Sequence, residues 1–263
     1  MLKAIFFDLD DTLLVTDTTY REAVAATCAE ADRRCAAVDA ERLEEVYLQV
    51  ARELWRSFDL PQMQESAVEM RRKVWAEALR RVGVEDGPLT EVLALHYGEE
   101  RRAGYRLFPG ARETLERLHG RYHLGIITNG VTEIQREKID RLGIEPYFET
   151  IVISQEVGIA KPDARIFRLA LNRVPCEPWE AAMVGDSAER DIRGAASAGL
   201  HTLWVRLGRP PEIWPDPSPS PSPARRGEPG RAAAEPETAH AVLERLEELH
   251  PWLDQQAVLW ALG

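Results

Sequence analysis

Short apolar, β-favouring runs at residues 4–9, 124–128, 150–154, 182–184 and 202–205 punctuate this chain, each short enough to be a buried strand. Between them lie stretches at 111–118, 131–142, 164–174 and 189–198 whose apolar residues recur at helical spacing. That alternation is the pattern of a parallel sheet covered on both faces by helices, because parallel strands need a crossover connection and a helix supplies it.

Residues 16–102 break the alternation, being rich in Ala, Glu, Arg and Leu and almost free of strand patterning. Within them Leu43, Val46, Tyr47, Val50 and Leu54 fall at spacings of three and four and line one face of a helix. The expected organisation is an α/β core of residues 1–15 and 103–263 with a small helical module, 16–102, inserted after the first strand. Residues 210–236, dominated by Pro, Ser, Gly, Arg and Ala, read as an extended or disordered loop in which the Arg225-Arg226 pair is ordinary solvated charge. A helical stretch is expected at 238–249, with a final edge strand at 238–243 as the alternative. The apolar tail carrying Trp252, Val258, Leu259 and Trp260 is expected to pack on the core or on a second subunit.

The first strand ends in Asp8-Leu9-Asp10-Asp11-Thr12-Leu13, which puts carboxylates at i and i+2 where the chain leaves the sheet. Ligands of open parallel sheets collect beyond the carboxyl ends of strands, so the acids are placed for chemistry as well as for turn capping. The second run ends in Thr128-Asn129-Gly130, the ingredients of an anion cradle and equally of a turn. Lys161, in Gly158-Ile159-Ala160-Lys161-Pro162, offers a fixed ammonium. Asp186 and Asp191, in Gly185-Asp186-Ser187-Ala188-Glu189-Arg190-Asp191, follow the fourth strand. Carboxylates converging with Asp8 and Asp10 would repel one another unless a hard divalent cation such as Mg²⁺ neutralised them.

Taken in order along residues 1 to about 207, these segments resemble the four short motifs of the haloacid dehalogenase superfamily, and the helical insertion falls where that family carries a cap. The resemblance implies a Rossmann-like core with an α-helical cap at 16–102, of the kind found in phosphoglycolate and acylneuraminate 9-phosphate phosphatases. It implies that Asp8 is the nucleophile and a metal ligand, and that Asp10 is the general acid and base with its main-chain carbonyl on the metal. It makes Thr128, with Asn129 and Gly130, the phosphate cradle, and Lys161 the residue that holds both phosphate and nucleophile. It further makes Asp186 a metal ligand, Asp191 the support of the metal's water shell, and Mg²⁺ the cofactor. Family members that displace halide lack the second aspartate of the first motif, so Asp10 points to phosphate ester chemistry. In the cap, Arg52, Arg56, Arg101, Trp55 and Trp75 are the candidate substrate contacts.

The resemblance and its helical cap imply a small-molecule phosphate ester as the partner, and other features bear on what else the chain could bind. The net charge of -11 gives no electrostatic drive toward nucleic acid or anionic membrane. No apolar stretch reaches the roughly 18 residues of a membrane span, and the start, Met1 to Asp8, is no signal-peptide core. The three cysteines, Cys28, Cys35 and Cys176, form no CxxC and suit a reducing, cytoplasmic setting. Oligomeric state is not readable. Rival readings are a phosphomutase, which returns the phosphoryl group to substrate, a signalling receiver, which keeps it, and an inactive binding protein.

Overall fold

The computed structural model describes residues 1–57, 66–85, 87–207 and 238–262. Its centre is a parallel sheet of six strands in the order β3-β2-β1-β4-β5-β6. The strands are β1 (Ala4–Phe7), β2 (His123–Thr128), β3 (Thr150–Ile153), β4 (Ala181–Gly185), β5 (His201–Val205) and β6 (Ala241–Leu243). Chain order runs outward from β1 in one direction and from β4 in the other, so the sheet reverses between these two neighbours. The crevice beyond their carboxyl ends is where such sheets bind ligands.

Alternation of side chains across the pleat explains why β1 is apolar throughout. Ile5 and Phe7 join a cluster with Leu115, Leu118, Ile126, Ile139 and Leu249, while Ala4 and Phe6 join one with Ile127, Val152, Phe167, Met183 and Ala195 on the opposite face. The covering helices are α5 (Ala111–Leu118), α6 (Thr132–Arg141), α7 (Ser154–Val157), α8 (Ala164–Leu171), α9 (Gly194–Ser197) and α10 (Leu249–Leu262).

Between β1 and α5 the chain forms α1 (Asp17–Arg34), α2 (Ala40–Ser57), α3 (Ala67–Arg81) and α4 (Pro88–Ala103). These pack around a hydrophobic cluster of their own that includes Val24, Leu43, Val50, Trp75, Leu79 and Tyr97. Local signals start them: Ser66 and Glu69 form a reciprocal capping box at α3, and Pro88 opens α4 with its fixed φ and no donor to waste. The Ala67 N–H also donates to the Glu133 carboxylate on α6 at 3.2 Å, which ties the inserted helices to the core.

Two expectations are corrected. Residues 238–249 are not a helix, and the alternative of an edge strand holds: β6 pairs with β5, Leu203 opposite Ala241 and Val205 opposite Leu243, and α10 begins only at Leu249. An open sheet edge with Leu243 facing the core outweighs the helical preference of Ala, Glu and Leu there. The helix expected at 189–198 begins as a π-helical turn, Ala188–Arg193, before α9. In the tail, Leu253 is buried and Trp252 packs against the core, whereas Val258 is exposed. The segment 210–236, with Arg225 and Arg226, and the side chains of Leu259 and Trp260 lie outside the described residues.

Trp75 is fully buried, with its ring 4.1 Å from that of Tyr47. Truncating it empties the centre of the inserted helices, so Trp75→Ala is expected to cost about 3–5 kcal/mol of their stability. Urea unfolding followed by far-UV circular dichroism measures the loss.

Candidate active site

Asp8 follows β1 directly, and its N–H donates to the Val184 carbonyl at 2.9 Å, so the backbone that carries it is pinned to β4 at the sheet reversal. Its carboxylate is buried and accepts from Lys161 Nζ at 2.7 Å. The same ammonium donates to Asp191 at 2.6 Å. Asp8, Asp186 and Asp191 each bring a carboxylate oxygen within 4.8 Å of the others. Burial alone would lower the Lys161 pKa, but Asp191 and Asp8 raise it, so the ammonium stays charged.

The loops that present these groups are tightly held. Asn129 accepts from the Lys161 N–H at 2.8 Å and donates to the Lys161 carbonyl at 2.9 Å, so its side chain fixes the backbone of the lysine. The wide π turn returns Asp191 toward the strand end, where its second oxygen accepts from the Ser187 N–H at 2.9 Å. Single π turns often mark functional positions. Gly185 makes room for this return, since a Cβ there would overlap the Asp191 carboxylate. Trp204, on β5, donates its indole N–H to the Asp186 carbonyl at 2.8 Å and steadies the loop from behind.

Asp10, two residues beyond Asp8, faces a different set of partners. Lys138 Nζ donates to both its oxygens at 2.7 and 2.8 Å, Thr16 Oγ1 donates at 2.7 Å, and Gln135 Nε2 at 3.0 Å. The Gln135 amide also donates to the Thr128 hydroxyl at 2.6 Å, linking the two strand ends. Burial would raise Asp10, yet Lys138 and these hydrogen bonds hold it at about 2. At Asp8 the balance is reversed: burial, with Asp191 adding to it, wins over Lys161 and pushes the carboxyl up to about 6.

The expected site residues Asp8, Asp10, Thr128, Asn129, Lys161, Asp186 and Asp191 thus meet in one crevice, with the Asp10 carboxylate turned away from the cluster of three acids. Sequence reasoning missed Thr16, Gln135, Lys138 and Trp204. A signal for two of them existed: Gln135 and Lys138 interrupt the buried stripe of Val131, Ile139 and Leu142 that runs along α6 and its two caps, and a buried polar residue in such a stripe needs a partner. A cavity of about 220 Å³ opens from Asp10 toward the inserted helices. Arg52 and Arg101 line it, whereas Trp75 belongs to the helical core. The side chains of Trp55 and Arg56 lie outside the described residues.

Three carboxylates about one ammonium leave a net negative, all-oxygen donor set, which suits a hard divalent cation. A doubly wound sheet with an acidic crevice at its reversal and a helical unit beside it makes this an α/β protein with a candidate cation-binding site at the sheet's carboxyl edge. The family model of haloacid dehalogenase-like hydrolases matches residues 2–199, and the chain belongs to that family. It is 35% identical over 229 residues to the phosphoserine phosphatase of Thermus thermophilus, covering 80% of this chain and 91% of the relative. It is also 35% identical over 218 residues to the glyceraldehyde 3-phosphate phosphatase of Methanothermobacter thermautotrophicus, covering 78% and 86%. Among solved structures, the magnesium-bound HAD-hydrolase YfnB of Bacillus subtilis superimposes with a TM-score of 0.67 at 24% identity over 96% of this chain and 99% of that one. Among the described residues no helix is long and apolar enough to cross a membrane.

The raised Asp8 has a thermodynamic consequence. Its folded pKa of about 6 lies above the ordinary 3.8 of the unfolded chain, so between these values the native state binds the extra proton. The Asp8 contribution to the stability of the metal-free protein is therefore expected to fall as pH rises from about 4 to about 6, by on the order of 3 kcal/mol. Thermal unfolding in EDTA across that range checks it; Asp8→Asn flattens the Asp8 part of the slope, and excess divalent cation stabilises wild type more at pH 7 than at pH 5.

Proposed function

We propose that the chain is a magnesium-dependent phosphatase that hydrolyses a small phosphate monoester through an aspartyl phosphate on Asp8, with Asp10 as general acid and base. The observation that carries this reading is the division of the two aspartates. Asp8 sits on Lys161 within the cluster of three acids, while Asp10, two residues on, is held apart by Lys138, Thr16 and Gln135. The contact with Lys161 suits a nucleophile that positive charge keeps ionised, and the place of Asp10 outside that cluster leaves its carboxyl to exchange a proton with the substrate once bound substrate charge competes for Lys138. The two phosphatase relatives, matched over most of both chains, support it.

Asp8, Asp186 and Asp191 would hold or support the cation together with the Asp10 main-chain carbonyl. Mg²⁺ bound there would supply positive charge against the transferring phosphoryl group. Lys161 brings its ammonium to the Asp8 oxygen and, with Thr128 and the Asn129–Gly130 backbone, forms the phosphate cradle. An Asp8 oxygen attacks phosphorus, and the ester oxygen leaves with a proton from Asp10. Asp10 is ionised in the free protein, so that proton arrives with the substrate, whose negative charge raises the carboxyl. In the second step Asp10, again a carboxylate, takes a proton from the water that cleaves the aspartyl phosphate. Residues 1–15 and 103–263 act as the catalytic core, and 16–102 as a cap that limits water and admits small substrates.

The test is phosphate release from a panel of small esters with Mg²⁺ or EDTA. Asp8→Asn is expected to abolish release. Asp10→Asn is expected to lower kcat/KM by about 10²–10⁴-fold for alkyl phosphates, and much less for p-nitrophenyl phosphate, whose leaving group departs without a proton. Equal losses for both ester types remove the acid role from Asp10; an absence of phosphate release from every ester, with label retained on the protein, removes the hydrolase reading.

A further inference from the structure

The wall of the cavity beside Asp10 carries more positive charge than the chemistry of the phosphoryl group uses. Arg101 is buried, yet its guanidinium has no carboxylate partner among the described residues. It spends one N–H on Thr19 Oγ1 at 2.9 Å and lies 5.7 Å and 5.8 Å from the ring centres of Tyr20 and Tyr105. A guanidinium has five N–H donors, and a buried one left without a counter-charge is costly. Arg71, half-buried on α3, and Arg52, at the rim on α2, line the same cavity and likewise form no ion pair among the described residues. Other arginines, among them Arg72, Arg81, Arg106 and Arg136, find glutamates.

The acids on the wall are already engaged. Asp10 is paired with Lys138, Asp17 with Arg21, and Asp11 accepts from the N–H groups of Thr16 and Asp17. In a chain of net charge -11, three arginines that line one cavity without an ion pair among the described residues, one of them buried, favour an anion from outside. On the phosphatase reading the transferred phosphate belongs with Lys161 and the Asn129–Gly130 backbone at the core end of this cavity, whereas Arg101, Arg71 and Arg52 stand on the inserted helices. The cavity, at about 220 Å³, is below the roughly 300–1,000 Å³ of drug-sized sites, so the leaving group is small.

We propose that Arg101 and Arg71, with Arg52 at the rim, form a subsite for a second anionic group on the alcohol portion of the substrate, a carboxylate or a second phosphate. The preferred substrates are then acidic phosphomonoesters, not esters of neutral sugars or nucleosides. This rests on the phosphatase reading for its role in turnover, but the subsite itself is a binding property and is testable without turnover.

The experiment measures equilibrium binding by titration calorimetry to the Asp8→Asn protein with Mg²⁺, using two matched pairs. One is 3-phosphoglycerate against glycerol 3-phosphate, which differ in a carboxylate; the other is ribulose 1,5-bisphosphate against ribulose 5-phosphate, which differ in a phosphate. At least one acidic member is expected to bind about tenfold or more tightly than its partner, the worth of one charge-assisted hydrogen bond. Which pair discriminates names the anion. In both Arg101→Met and Arg71→Gln that ratio is expected to drop toward one, and because it is taken within each variant, loss of folded protein cancels. Ratios near one in both pairs, no binding of any acidic ester, or ratios unchanged in both arginine variants overturn the subsite. A failure of wild type to release phosphate overturns the phosphatase reading instead, and leaves the binding ratios to decide the subsite separately.

Discussion

Everything in the site depends on one buried ammonium. Lys161 Nζ lies 2.7 Å from Asp8 and 2.6 Å from Asp191, and without it two nearly solvent-free carboxylates would face each other across a strand reversal. A single positive charge cannot neutralise Asp8, Asp186 and Asp191 together. The remaining negative charge is the physical reason the crevice suits a divalent cation, and together with burial it pushes the Asp8 carboxyl up.

Beside this stands a second lysine–aspartate pair of opposite effect. Lys138 meets Asp10 with both carboxylate oxygens satisfied, and the acid is held at about 2. Two residues along the chain separate a carboxyl pushed up from one pulled down. Carboxylates whose environments pull their affinities for the proton apart are the usual means by which one site carries two roles. The inserted helices then continue the electrostatics outward: Arg101 on α4 and Arg71 on α3 line the same cavity as Lys138 of α6 and add positive charge to it.

How far the sequence could be read depended on whether the deciding interaction was local. The five strands from β1 to β5, the helices beside them and the long insertion follow from hydrophobic periodicity, because burial on a pleat or a helix face writes a repeat into neighbouring residues. β6 left no such repeat: three residues beside a free edge are decided by the edge. The π turn at Ala188–Arg193 was equally invisible, since it exists to return Asp191 to Ser187 and Gly185.

The sequence by itself determined the α/β alternation, the inserted helical unit and the acids at the strand ends, Asp8, Asp10, Asp186 and Asp191, with Thr128 and Lys161 in their order. Only the tertiary structure decided that Lys161 bridges Asp8 and Asp191, that Lys138 and Gln135 reach Asp10 across more than a hundred residues, and that Arg101 is buried without a counter-charge among the described residues. The physical reason is range. Backbone preference and burial act between near neighbours in the chain and so show as pattern, whereas charge compensation acts between whatever side chains the fold brings together and leaves no mark on spacing.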